Sequence, residues 1–130
     1  MIQMQTLVKV ADNSGAKIAK CIKVLGGYKK KYAKIGDIIV ISIQQLRNRS
    51  KLTTKVKKGD IYKALVIRTK IKYKKKDGSF TFYDTNFRNN AVVLMSKKKN
   101  PIGTRITEPI PAHLRKEKFT KFLSISRGII

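Results

Sequence analysis

Three lysine triplets carry the most concentrated chemistry in the chain: Lys29-Lys30-Lys31, Lys74-Lys75-Lys76 and Lys97-Lys98-Lys99. Amines in this density neutralise phosphates and release counterions, so binding strengthens with each contact and weakens with salt. The triplets are spread along the chain rather than gathered in a tail, so several loops present charge together. Tyr28 and Tyr32 bracket the first triplet and Tyr73 precedes the second. An aromatic beside a basic loop can stack on a base or ribose, or it can pack at the base of the loop. The sequence leaves both roles open.

Other residue types offer little for catalysis. The acids are Asp12, Asp37, Asp60, Asp77, Asp84, Glu108 and Glu117. Asp12 lies in the cluster Asp12-Asn13-Ser14-Gly15, Asp37 and Asp60 each follow a glycine, and Asp77 precedes one. Carboxylates in such places bond nearby backbone and build turns. His113, the single histidine, sits between Ala112 and Leu114 with no nucleophile motif around it. Cys21 is the only cysteine, so no intrachain disulfide or multi-cysteine metal site exists. Between Lys20 and Ile22, with no nearby histidine to act as its base, it suits a small core residue better than a reactive thiol. Gly26, Gly27 and Gly36 match neither phosphate-loop spacing. No enzyme, metal site or cofactor is expected.

The overall balance points the same way. The 130 residues include 31 Lys or Arg against 7 Asp or Glu, a formal net charge of +24. Such a small chain repels itself unless a polyanion neutralises it, which leaves nucleic acid or an anionic membrane surface. The 42% hydrophobic content is that of a folded protein, not a disordered basic tail. No apolar run approaches the roughly 20 residues of a membrane span, and no membrane partner is expected. The N-terminal residues carry neither a secretory signal nor an Arg-rich transit peptide. No basic amphipathic helix is long enough to read a major groove. Irregular folded RNA, recognised by shape and backbone, is the better match.

The elements that must hold these loops are mostly strands. Short β-branched runs between turn formers cover residues 6–10, 17–25, 37–43, 61–69 and 91–95, the pattern of a sandwich or barrel. In the second run, alternation sets Ile18, Ile22 and Val24 against Ala19, Cys21 and Leu25. The third run, with Ile38, Ile39, Val40, Ile41 and Ile43, is apolar on both faces and reads as buried on both sides. Residues 70–76 and 79–83 flank Asp77-Gly78, a strong hairpin signal. Pro101, Pro109 and Pro111 then end the strand pattern. From Pro111 onward short helices are expected, with Ile110, Leu114, Phe119, Phe122 and Leu123 packing the tail back onto the β structure.

Several blocks also resemble one family. They are Met1-Ile2-Gln3-x-Gln5-Thr6, Val10-Ala11-Asp12-Asn13-Ser14-Gly15-Ala16, Cys21-Ile22-Lys23-Val24-Leu25-Gly26-Gly27 and Val56-Lys57-Lys58-Gly59-Asp60. Further on come Lys63-Ala64-Leu65-Val66-Ile67-Arg68-Thr69, Asp77-Gly78-Ser79 and Pro101-Ile102-Gly103-Thr104-Arg105-Ile106. Together they are similar to the bacterial-type large-subunit ribosomal protein fourteen, in order from Met1 to about Ile125. The resemblance implies a mainly β protein: a closed five-stranded barrel, a projecting β-hairpin and a short helical C-terminal region. One domain over residues 1–130 is expected, with barrel and ribbon over about 1–100 and C-terminal loop and short helices over about 101–130.

The same resemblance implies a structural role in translation. Expected partners are large-subunit rRNA, neighbouring large-subunit ribosomal proteins and small-subunit rRNA across an intersubunit bridge. A ribosome-silencing factor would dock on the face turned to the small subunit. Thr104, Arg105 and Lys121 match the family's positions on that face. The expected rRNA-binding residues are Lys29, Lys30, Lys31, Tyr32, Arg47, Arg49, Lys51, Lys57, Lys58, Arg68, Lys70, Lys74, Lys75 and Lys76. A nucleoid DNA-binding protein would explain the charge but not the ordered blocks. An RNA-processing enzyme would need an acid pair or histidine constellation that the chain lacks.

The chain departs from the family in three places. Residues 47–55 are longer and lack the usual proline and glycine; residues 85–88 are extra; and the end reads Ser126-Arg127-Gly128-Ile129-Ile130. The basic residues in the first two are expected to add phosphate contacts. The diverged tail and the lysine and isoleucine bias suggest an organelle-encoded copy in a mitochondrial ribosome, with a plastid or bacterial cytoplasmic ribosome as the alternative.

Overall fold

A computed structural model describes residues 1–47, 54–71, 73–74, 77–81, 89–117 and 119–130. Five strands close into a barrel: β1 (Leu7–Val10), β2 (Ala16–Val24), β3 (Ile38–Leu46), β4 (Ile61–Arg68) and, after a hairpin, β7 (Ala91–Met95). Neighbours are antiparallel except at the closure, where β1 runs parallel to β7 with Lys9 opposite Ala91 and Val10 opposite Val92. Closure leaves no strand edge open within the barrel. The hairpin pairs β5 (Tyr73–Lys74) with β6 (Phe80–Thr81) as a separate sheet around Asp77-Gly78, where Gly78 takes φ +85°. The mainly β architecture, the closed barrel and the short C-terminal helix are all as expected.

Two apolar clusters hold the chain together. The barrel interior is filled by β-branched and small residues, among them Val8, Val10, Ala19, Ile39, Ile41 and Ile43. The second cluster lies outside the barrel. There Leu65, Ile67 and Val93 meet Ile106, Ile110, Leu114, Phe122 and Leu123. The C-terminal region contains a 3-10 segment (Ala112–Glu117) and α1 (Thr120–Ser124). A five-residue helix cannot persist by propensity alone, and no side chain caps its N-terminus. Packing holds it instead. Phe122 is 1% exposed and meets Phe119 edge to face at 5.8 Å, a burial worth about 1.5–3 kcal/mol.

Two expectations about strand faces are corrected. Ile22 does not share a face with Val24: Ile22 is exposed, while Val24 joins Ala19 and Cys21 in the barrel interior. A register shift between Cys21 and Lys23 inserts a residue and reverses the alternation. β3 is not buried on both faces either. Ile39, Ile41 and Ile43 point inward, while Ile38, Val40 and Ser42 are only half-buried. The strand buried along its whole length is β7, with β4 buried from Ala64 onward. The C-terminal cluster covers the outer faces of these two and leaves β3 half open.

The divergent tail is part of this cover. Ile106 bridges Ser126 and Ile110 bridges Ile129, both in parallel. The Ile130 N–H donates to the Ile110 carbonyl at 3.0 Å, and the Ala112 N–H donates to the Ile130 carbonyl at 2.8 Å.

Candidate nucleic-acid interface

The first triplet occupies the loop between β2 and β3. Lys29 and Lys31 are exposed, and Lys29 takes φ +53°. The Lys29 ammonium lies 5.5 Å from the centre of the Tyr28 ring, a weak cation–π contact at an exposed site. Tyr28 is 93% and Tyr32 48% exposed, so neither ring is packed away at the loop base. Lys30 differs: its ammonium pairs with Asp37 at 2.7 Å and is mostly covered. Lys57, Lys58, Lys70 and Lys74 are exposed, as are Lys97, Lys98 and Lys99. Arg47 is half-buried and donates to the Val10 carbonyl at 3.0 Å. Arg49, Lys51, Lys75 and Lys76, with the extra residues 85–88, lie outside the described residues.

Arg68 corrects the expectation placed on it. Its side chain is 1% exposed, its guanidinium meets Glu108 at 2.6 Å, and its Nε–H donates to the Asn89 carbonyl at 2.9 Å. Glu108, also buried, takes Lys9 on its other oxygen at 2.9 Å. A register shift separates Val66 from Arg68 at the end of β4, where the C-terminal segment brings Glu108 in. Arg68 therefore joins barrel, hairpin root and C-terminal segment from within, and presents no charge to a phosphate. The local sequence, with Glu108 forty residues away, gave no sign of this.

Thr104 and Arg105 stand at a corner built by Asp12 and Asn13. Asp12 is fully buried. One carboxylate oxygen accepts from the Ser14 N–H at 3.0 Å and from the Ser14 hydroxyl, and the other accepts from the Leu94 N–H at 3.0 Å. Asn13 reaches across to the other loop. Its amide oxygen accepts from the Thr104 N–H at 2.8 Å and the Arg105 N–H at 3.3 Å, and its amide nitrogen donates to the Thr104 hydroxyl at 2.7 Å. Gly103 makes the approach possible, because a Cβ there would lie 2.8 Å from the Asn13 amide oxygen and 2.9 Å from the Asp12 Cβ. Lys121, on α1, donates to the Asn100 side chain at 3.0 Å. The fold thus holds Lys121 to the segment that carries Thr104 and Arg105.

The acids behave as turn builders. Besides Asp12, Asp37 accepts from the Lys34 N–H at 2.7 Å, Asp60 from the Lys57 N–H at 3.2 Å and Asp77 from the Ser79 N–H at 3.1 Å. Asp60 and burial together push the Tyr62 hydroxyl above its ordinary range, burial being the larger cause. Burial likewise raises the Cys21 thiol, which leaves little of the reactive thiolate. Among the described residues no group of three His, Cys, Asp or Glu is placed to hold a metal ion, and no helix is long and apolar enough to cross a membrane.

Three basic residues not singled out from the sequence also stand in clefts. Lys9 and Lys17 line one with Lys70, and Arg127 lines another with Arg105. The outward positions of Lys9 and Lys17 follow strand alternation and could have been read. The register that brings Arg127 to Arg105 could not.

Basic loops on a closed barrel, with Asp12, Asp37, Asp60, Asp77 and Glu108 spent on turns and internal ion pairs, define a binding scaffold. The family model described as ribosomal protein L14p/L23e matches residues 1–130, and the chain belongs to that family. The protein is therefore a structural component of the large ribosomal subunit, associated there with rRNA and ribosomal proteins. The family is not one of enzymes.

Proposed function

We propose that the protein binds large-subunit rRNA through its basic loops and turns the Asn13 corner toward the small subunit. In this reading residues 1–130 act as one domain. Lys29, Lys31, Tyr32, Lys57, Lys58, Lys70 and Lys74 meet the large-subunit rRNA directly, with Arg47 and Lys30 at the edges of that surface. Arg49, Lys51, Lys75 and Lys76 extend it. Thr104, Arg105 and Lys121 contribute to an intersubunit bridge with small-subunit rRNA, and a ribosome-silencing factor docks on the same face. In this reading the ribosome is a mitochondrial one, with a plastid or bacterial cytoplasmic ribosome as the alternative.

The observation that carries the reading is the double tie from Asn13 to Thr104 and Arg105. It fixes an exposed arginine on a backbone that cannot drift, as recognition across a subunit interface requires. Arg105→Glu tests it by sedimentation of tagged ribosomes from fractionated organelles. The variant should enter large subunits normally, while the fraction in joined ribosomes falls. Normal joining with failed large-subunit assembly would reverse the assigned roles. Sedimentation of the tagged protein away from mitochondrial ribosomes would overturn the location.

A further inference from the structure

We propose that the cleft between β1, the start of β2 and the hairpin root seats a single unpaired nucleotide of RNA. The proposal rests on the rRNA-binding reading and adds a defined site to it. The cleft is open to solvent and has a volume of about 400 Å³, within the range of about 300–1,000 Å³ typical of small-ligand sites. Lys9, Lys17 and Lys70 bring three amines to it, and Leu7 and Ile18 supply an apolar wall. Leu7 is 61% exposed, an uncovered aliphatic surface beside concentrated positive charge. A phosphate satisfies the amines, and a base or ribose covers the wall. A base held in a duplex cannot reach such a wall, so the fitting ligand is an unpaired nucleotide.

The walls are already fixed. Asn90 accepts the Lys9 N–H on its backbone carbonyl at 2.9 Å and the Lys70 N–H on its side-chain oxygen at 2.8 Å. It thereby ties β1 to the hairpin root, and its amide N–H donors have no protein partner among the described residues. Glu108 pairs with the Lys9 ammonium at 2.9 Å while the Lys9 side chain stays 47% exposed, so the amine can meet a ligand on its open side. Glu108 does not cancel the cleft's charge, because buried Arg68 already neutralises it at 2.6 Å. Holding donors and wall in place before binding lowers the ordering cost of recognition.

The full chain, titrated by NMR with hexauridylate, should shift the Lys17, Lys70 and Asn90 resonances and saturate. Uridine monophosphate should shift them only weakly. The double variant Lys17→Gln/Lys70→Gln should bind hexauridylate more weakly, with a log affinity against log salt slope shallower by about 0.7, one phosphate contact on a single strand. Leu7→Ser should weaken binding about fivefold with the slope unchanged, as removal of an apolar wall requires. All three residues are exposed, and circular dichroism checks that each variant folds. An unaffected salt slope in the double variant, or unchanged affinity in Leu7→Ser, would overturn the nucleotide seat. Saturation by uridine monophosphate as tight as by the hexamer would make it a free-nucleotide site and overturn the RNA assignment. A large-subunit rRNA transcript separates the two levels. If the double variant binds the transcript with wild-type affinity, the seat falls and the broader reading stands. If the wild type ignores the transcript yet seats hexauridylate, the broader reading falls and the seat stands.

Discussion

The lysine loop at residues 29–31 and the Asn13 corner both present cations, but they are built on opposite principles. In the loop, Lys29 and Lys31 project from a turn with few internal ties, and the nearest aromatic partner, Tyr28, is itself 93% exposed. At the corner, a fully buried carboxylate and a bridging asparagine set the backbone before Arg105 leaves it. The loop adds charge that any close-packed phosphates can use, and such attraction is strongly screened by salt. The corner adds a fixed direction, which costs buried polar groups that must all be satisfied. In the proposed function, affinity and geometry are thus supplied from separate places in one small protein.

The largest test of that contrast is Asp12→Ala. It leaves the Ser14 and Leu94 N–H groups without their acceptor inside the protein, and should cost about 3 kcal/mol of stability in urea unfolding. A loss below about 0.5 kcal/mol, the scatter of surface substitutions, would mean the corner is no more preorganised than the loop. The triple change of Lys29, Lys30 and Lys31 to Ala should act in the reverse sense. Stability should move by no more than about 1 kcal/mol, the upper value for a surface ion pair such as Lys30–Asp37, while the salt slope of rRNA binding becomes shallower by about 0.9 for each duplex phosphate left without its lysine. A large stability loss with an unchanged slope would show the triplet to be structural.

The smallest effect lies outside both regions. Folding holds the Tyr62 proton to higher pH than its ordinary 10.0, because of burial, the Asp60 charge and their hydrogen bond. The unfolded chain therefore loses this proton first. The stabilisation is fully present below pH 10.0 and is lost as pH rises toward the raised folded value. Tyr62→Phe should flatten the alkaline fall in stability seen by thermal melts across that window, and an unchanged slope would assign the fall to other groups.

Much of the fold was readable from local pattern. The run at residues 91–95 coincides with β7, and Asp77-Gly78 does stand at a hairpin. Ile110, Leu114, Phe122 and Leu123 do pack as core. The four turn acids took the backbone roles their neighbours suggested. Errors arose where a single residue changed the count. One bulge between Cys21 and Lys23 turned Ile22 outward. Residue types alone did not show which strands the tail would cover, so β3 was expected to be buried on both faces in place of β7.

The candidate interface divides along the same line. Charge and its distribution among loops are properties of composition and spacing, legible before any fold is known. Which cations face outward is another matter. Arg68 and Arg105 both sit in short, mostly apolar blocks, yet one is sealed against Glu108 and the other is exposed. The partners that decide this lie far along the chain: Glu108 for Arg68, and Asn13 for the backbone of Arg105. Sequence by itself determined that this protein would carry a large excess of positive charge on a β scaffold. Only the tertiary structure decided which charges are spent holding the scaffold together and which remain for a partner, because ion pairing and burial depend on contacts between distant residues.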